Sequence, residues 1–269
     1  MMTHQQKVGF LSLNIQRDHV ILKIMKLIRS NRYLIVLISL VFMVACKRQV
    51  IPADEIDLGK EYMKLVVGHS IEYAVDSIIF DDFNQKTDTF QLEFRDEVAS
   101  TFEDNEGRPS YVINRFYRQD STYQWESFYT YYATATSERV EVIDRNLRFI
   151  KLVFPVKLNT RWYGNSYLPT ALNPELQWMD QWDYKYASMN EPYSTGFILF
   201  PSTLTVNQAD YIEGNPADAN AFSAQGFSKE VYAKNVGLIY KELTRWVYQP
   251  SVVKYRKGFT LIMKAKKHS

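Results

Sequence analysis

From Glu61 onward, apolar and polar residues alternate with a period of two in one segment after another. Ile71, Tyr73, Val75, Ser77 and Ile79 alternate with Glu72, Ala74, Asp76 and Ile78, and Phe90, Leu92 and Phe94 alternate with Gln91, Glu93 and Arg95. Successive side chains of a strand point to opposite faces, so this spacing predicts strands with one face on a core. Residues 81–86, Asp-Asp-Phe-Asn-Gln-Lys, read as the hairpin loop between them. Residues 104–109, Asp-Asn-Glu-Gly-Arg-Pro, form a strong turn signal. Residues 111–118 and 124–133 predict a second hairpin around Asp120-Ser121, and 139–143 with 147–154 a third around Asp144-Arg145-Asn146. Further strands are expected over 182–188, 203–208, 229–242 and 259–264, with one short helix over 172–179. Residues 209–226 are rich in Ala, Asn, Asp and Gly and predict a long exposed loop. Gly237 is read as a bulge or bend inside one strand.

Short strands separated by turn signals every ~8–12 residues predict an all-β, mainly antiparallel fold. A single curved sheet, an open barrel or a sandwich all satisfy the pattern. Strand spacing continues on both sides of 209–226, so residues 61–269 are expected to form one domain. Composition agrees: aromatic residues reach 15%, with 19 Tyr, 16 Phe and 5 Trp, and these side chains suit a pleated, half-buried surface.

The N-terminal segment follows a different rule. Residues 33–45, YLIVLISLVFMVA, are almost wholly apolar and follow Lys26, Arg29 and Arg32. This order is that of a secretory signal, and the run is short of the ~20 residues that a spanning helix needs. The one cysteine of the chain, Cys46, comes directly after it, and residues 47–60 are polar and suit a tether. Met25 opens a compact version of the signal, so residues 1–24 are read as an over-extended start. Residues 1–45 hold six Lys and Arg (Lys7, Arg17, Lys23, Lys26, Arg29, Arg32) and one acid, Asp18. Of the chain's 32 basic and 30 acidic residues, the remainder keeps 26 and 29, a net charge of −3. Nucleic-acid binding, which needs a concentrated positive face, is therefore not expected.

Met43-Val44-Ala45-Cys46 resembles the lipobox of bacterial lipoprotein precursors, in which cleavage after a small residue leaves an acylated cysteine as residue one. Met43 departs from the usual Leu. Residues 64–69 running into 73–78, then 149–156 and 230–242, together with that lipobox, resemble an uncharacterised family of cell-envelope lipoproteins of Bacteroidota. The resemblance spans nearly the whole chain after Cys46. It implies cleavage between Ala45 and Cys46, lipid on Cys46, an outer-membrane lipoprotein and a β-rich body, and it supplies no activity. Lys47 and Arg48 follow the cysteine where surface-exposed lipoproteins of these bacteria carry acids, so the periplasmic face is expected.

The chemistry available to the body is narrow. With one cysteine and four histidines, neither a disulfide nor a Cys/His zinc site can be assembled, and no cofactor or catalytic residue is expected. His69 is read as a turn residue entering the first strand, because no Gly-x-Ser-x-Gly elbow presents a serine to it. Residues 82–88 lack the glycine and full oxygen set of a calcium loop. Trp125, Trp162, Trp182 and Trp246 are candidate ligand-stacking residues, with core packing as the competing role. Trp125 and Tyr129 are expected on one strand face, as are Trp182, Tyr184 and Tyr186. Asp120-Ser121-Thr122 resembles the O-glycosylation acceptor of Bacteroidota envelopes, which makes Ser121 a candidate. The expectation is a non-enzymatic, membrane-anchored lipoprotein that binds an envelope partner or an apolar or sugar ligand. The alternatives are a carboxylate-dependent glycosidase and a structural component of an envelope assembly.

The anchor is tested by Cys46→Ser. The variant should lose incorporation of a palmitate analogue and accumulate as uncleaved precursor. Unchanged labelling and membrane fractionation would instead mean that the apolar run is retained as a membrane segment.

Overall fold

The computed structural model describes residues 58–269, which fall in one compact unit, Asp57–Ser269. The signal segment with Ala45 and Cys46, and residues 46–57 of the tether, lie outside the described residues.

Twelve strands build one antiparallel sheet: β1 (Ser70–Asp81), β2 (Lys86–Glu103), β3 (Pro109–Arg118), β4 (Glu126–Ala135), β5 (Arg139–Asp144), β6 (Leu147–Val153), β7 (Arg161–Tyr163), β8 (Asp183–Ser194), β9 (Leu199–Gly214), β10 (Ser223–Ala233), β11 (Gly237–Gln249) and β12 (Val253–His268). Their spatial order is β6-β5-β4-β3-β2-β1-β12-β11-β10-β9-β8-β7. Two six-stranded meanders are therefore zipped together by the first and last strands, from Ile71 opposite His268 to Phe80 opposite Gly258. The hairpins around residues 81–86, 104–109, 120–121 and 144–146 fall where the turn signals place them.

The two edge strands, β6 and β7, are consecutive in sequence, and the sheet curls until they meet. Ile150 N donates to Gly164 O at 2.8 Å, and Trp162 Nε1 donates to Ile150 O at 2.8 Å. The Tyr186 hydroxyl donates to Val153 O at 2.7 Å and accepts from Val153 N at 2.8 Å. The result is a nearly closed barrel, whose free edge is shortened to the three residues of β7. A short edge strand offers little template for pairing with another chain.

Alternation decides what points inward. Ile71, Tyr73 and Val75 are buried, while Glu72, Ala74 and Asp76 between them are half-buried. Large buried side chains such as Tyr62, Tyr184, Tyr186 and Leu204 gather into a core cluster on the β8–β10 side, and Ile71, Tyr73, Val231 and Met263 into another on the β1–β12 side. Each is worth about 1.5–3 kcal/mol relative to exposure. The hairpin joining β8 to β9 reaches across to β11 and β12: the Thr195 hydroxyl donates to Ala265 O on β12 at 2.7 Å, and Tyr193 packs on Tyr240 of β11.

Four expectations are corrected. Residues 229–242 are two strands, β10 and β11, because Asn235 (φ 59°) and Gly237 (φ 108°) turn the chain back on itself. Residues 209–226 are mostly strand: β9 runs to Gly214 and β10 starts at Ser223, with Ile212 opposite Gln225. Pairing on a long neighbouring strand overrides the weak β propensity of that composition. The helix expected over 172–179 is only a 3₁₀ turn, Gln177–Met179, within turns. Trp125 precedes β4 and does not share a strand face with Tyr129.

The seam can be tested at Gly164, where an added Cβ would collide with the ring of Tyr184. Gly164→Ala should cost about 1–3 kcal/mol, the usual penalty of overpacking. Denaturant titration of a chain beginning at Asp57, followed by far-ultraviolet circular dichroism, measures it. Strand-dominated spectra are expected for both proteins, and equal stability would show that the seam yields freely.

Candidate functional site

Both ends of the barrel are covered by chain turned across them. At the end where β1 begins, residues 58–69 cross the opening. Tyr62 is buried and its hydroxyl donates to Asn190 Oδ1 at 2.9 Å, and Asn235 N donates to Glu61 O at 2.8 Å. His69 closes the segment, with Nε2 at 2.7 Å from Val236 O and Nδ1 at 2.8 Å from Ser269 O. Burial is the main influence that pulls its pKa below the usual value, against the pull of the Val236 carbonyl, and the nearby Lys64 adds to the lowering. The ring is tied to backbone and precedes β1 directly, as the sequence predicts for a turn residue.

At the other end the connection from β7 to β8 folds over the opening. Trp178 O accepts from Trp182 Nε1 at 2.8 Å and from the Tyr211 hydroxyl at 3.1 Å. Arg245 lies over the Trp178 ring at 5.0 Å and donates to Glu175 O at 3.1 Å. Gly226 makes room for this arrangement, because a Cβ there would strike the Tyr211 ring.

Between these coverings the barrel holds a cavity of about 380 Å³. Met63, Leu65, Val98, Ile113 and Val142 supply apolar wall from one side, and Trp178, Met179, Trp182, Leu243 and Phe259 from the other. The remaining wall is charged. Arg115 grips Asp96 with two hydrogen bonds of 2.6 Å, the Tyr131 hydroxyl donates to Asp96 Oδ2 at 3.0 Å, and Arg115 Nη1 donates to the Tyr129 hydroxyl at 3.0 Å. Such a bidentate, fully partnered pair is the form in which buried charge is tolerated.

The second network centres on Glu230, which is 1% exposed. Lys151 Nζ donates to Oε1 at 2.7 Å, and the Tyr232 hydroxyl donates to Oε2 at 2.6 Å. Lys241 Nζ stands 3.6 Å from the same Oε1, beyond hydrogen-bond distance. Burial pushes the carboxyl up, but the ammonium groups of Lys151 and Lys241 outweigh it and, with the two hydrogen bonds, hold it at about 2. Burial and then the like charge of Lys151 pull Lys241 below the usual lysine range, against Glu230 and Asp144.

Two residues that line this space each bury a polar atom without a hydrogen-bond partner among the described residues, Gln208 Nε2 and Asp144 Oδ1. Gln208 is 2% exposed, and its Oε1 is already taken by the Ser228 hydroxyl at 2.7 Å. Leaving a buried donor unpaired costs about 1–3 kcal/mol.

The sequence-predicted tryptophans are scattered around this site. Trp182, directly before β8, lines the cavity and is buried, as are Tyr184 and Tyr186 on β8. Trp162 packs on Tyr184 and Tyr186 at the seam. Trp246 is buried, donates to Gln225 Oε1 at 2.7 Å and lies under Arg256. Trp125 lies against Arg118, 4.1 Å from the ring centre, and Arg95 at 5.2 Å. Ser121 is exposed in the turn after β3, where Asp120 Oδ1 accepts from Thr122 N at 2.8 Å.

No protein-family model and no curated protein matches the chain. Among solved structures, one that it resembles is a Bacteroides fragilis protein described as a candidate exported protein with a YmcC-like fold. The match has a TM-score of 0.36 and 11% identity, and covers 77% of this chain and 98% of that one. At that TM-score the likeness carries neither fold nor function, and the topology above rests on its own strand pairing.

The Glu230 network makes two measurable claims. Its carboxyl sits far below its value of ~4.3 in an unfolded chain, so its contribution is complete above that pH and is lost as pH falls from about 4 toward 2. Glu230→Gln should therefore flatten the acid limb of stability in that window, by an amount of the order of a few kcal/mol. Lys151→Met should cost about 3 kcal/mol by stripping Glu230 of its closest cation, and adding Glu230→Gln should restore part of the loss. Urea titrations from pH 2 to 7 read both, and additive losses in the double variant would show that the pair is not coupled.

Proposed function

We propose that this chain is a lipid-anchored protein of the cell envelope, held through Cys46 at the periplasmic face of the outer membrane, that binds a ligand inside its barrel without transforming it. The observation that carries the reading is the cavity, two of whose lining residues, Gln208 and Asp144, bury a polar atom without a partner among the described residues. Its volume lies at the lower end of the ~300–1,000 Å³ typical of small-molecule sites, and its wall combines apolar surface with a few placed polar groups. The anchor rests on the position of the one cysteine, directly after a signal-like segment.

The glycosidase alternative draws little support from these residues. An acid catalyst needs a carboxyl that stays protonated near neutral pH. Glu230 is instead held at about 2 by two lysines, and both oxygens of Asp96 are occupied by the Arg115 fork. These carboxylates serve as counter-ions.

Native mass spectrometry of the mature protein, taken gently from membranes, tests the reading. A bound small molecule that leaves on denaturation is expected, together with a change in the emission of Trp178 and Trp182 at the wall when it leaves. A bare polypeptide mass and an unchanged emission would overturn ligand binding.

A further inference from the structure

The charged wall says which ligand would fit, and this inference rests on the ligand-binding reading above. Around the cavity stand five cations, Lys64, Arg115, Arg145, Lys151 and Lys241, against three carboxylates, Asp96, Asp144 and Glu230. The surplus is positive, and it is localised. Arg115 and Asp96 neutralise each other in a bidentate pair. Glu230 spends its short hydrogen bonds on Lys151 and Tyr232, and Lys241 is left with a contact of 3.6 Å. No ion pair joins Lys241 to Asp144 among the described residues. Lys241 thus brings an ammonium with three donors and no hydrogen-bonded acceptor to the cavity wall.

Gln208 adds a second unfilled donor. It stands on β9, and Ser228, which holds its carbonyl, precedes Glu230 by one inward step on β10. Glu230 is directly opposite Lys241 on β11. The amide and the ammonium therefore belong to one corner of the barrel. Next to that corner, Leu243 follows Lys241 on the same face of β11, and Phe259, Trp178 and Met179 continue the apolar wall. Among the buried side-chain atoms of the described residues, Asp144 Oδ1 at the end of β5 is an acceptor without a partner, and it would accept from a water or a ligand hydroxyl.

We propose that the cavity takes a single-chain amphiphile with one carboxylate, its head on Lys241 Nζ and Gln208 Nε2 and its chain along the apolar wall. The carboxylate would face Lys241, whose 3.6 Å contact with Glu230 leaves its hydrogen-bond donors free. A volume of about 380 Å³ suits one chain rather than two or three.

The test uses the mature lipoprotein in nanodiscs with two photoreactive probes, a diazirine-bearing hexadecanoate and the matching hexadecanol. Peptide mass spectrometry maps the crosslinks. The acid should label cavity-lining peptides, and Lys241→Met should cut that yield at least tenfold. Lys241→Arg, which keeps the charge, should retain most of it. The alcohol should label weakly and respond to neither variant. Each variant is first checked for a wild-type melting transition. If Lys241→Met does not fold, Gln208→Leu is read in its place and should lower the acid yield severalfold. Equal labelling by acid and alcohol, or acid labelling indifferent to Lys241, would overturn the head-group assignment and leave ligand binding standing. If neither probe reaches the cavity, the assignment fails as well. The native mass measurement then separates a cavity that holds another class of molecule from one that holds water only.

Discussion

A sheet of twelve strands that closes on itself encloses more space than its own side chains can fill. Eight strands make a barrel just wide enough for that, and diameter grows with strand number. The rest of this structure answers that constraint. Chain is spent on covering both ends, with residues 58–69 at one and the β7–β8 connection at the other. Large side chains crowd the inward face, and Tyr73, Tyr184, Tyr186 and Tyr232 are each 2% exposed or less. Where these still fall short, a cavity remains. The same constraint bears on closure: β7 is too short for a full ladder, so side chains hold the seam. The Tyr186 hydroxyl bridges to β6, and Lys151 on β6 reaches across the interior to Glu230 on β10. The buried ion pair is thus a crosslink between one edge strand of the sheet and a strand of its other half.

Much of this was legible in the sequence, and the failures share a physical cause. Period-two alternation located strands along the body because one face of each is buried. It failed at residues 209–226, where small and polar residues have weak preferences and a long partner strand supplies the pairing. It merged β10 with β11 because the connecting turn uses Asn235 at positive φ beside a single glycine and lacks a doublet such as Asn-Gly. The tryptophans drew attention as ligand-stacking surfaces, and the fold uses Trp162 to pack the seam and Trp182 to fasten a loop. The charged residues of the cavity went unnoticed, although a signal existed. Asp96 continues the inward phase of Leu92, Phe94 and Val98, and Lys241 continues that of Ile239 and Leu243. A charge on the buried phase of a strand is costly unless it has a partner, and that partner cannot be found from local spacing. Glu230 and Lys151 are 79 residues apart.

Buried ion pairs are weak evidence of stability, because desolvation consumes most of what attraction returns. Their value here lies in what they leave over. Well-packed apolar side chains in place of Asp96, Arg115, Glu230 and Lys151 would give a drier interior at little or no cost. The actual wall keeps Glu230 ionised and hydrogen-bonded to Lys151 and Tyr232, and it keeps Lys241 and Gln208 with donors to spare. In the proposed reading, fixed donors beside an apolar wall take a ligand with an acceptor at one end and hydrocarbon at the other. They also disfavour proton-transfer chemistry, since a carboxyl pinned at about 2 neither gives nor takes a proton near neutral pH. The charges that make this barrel costly to fill with hydrocarbon alone are therefore the same ones that give its cavity a polar end and an apolar end.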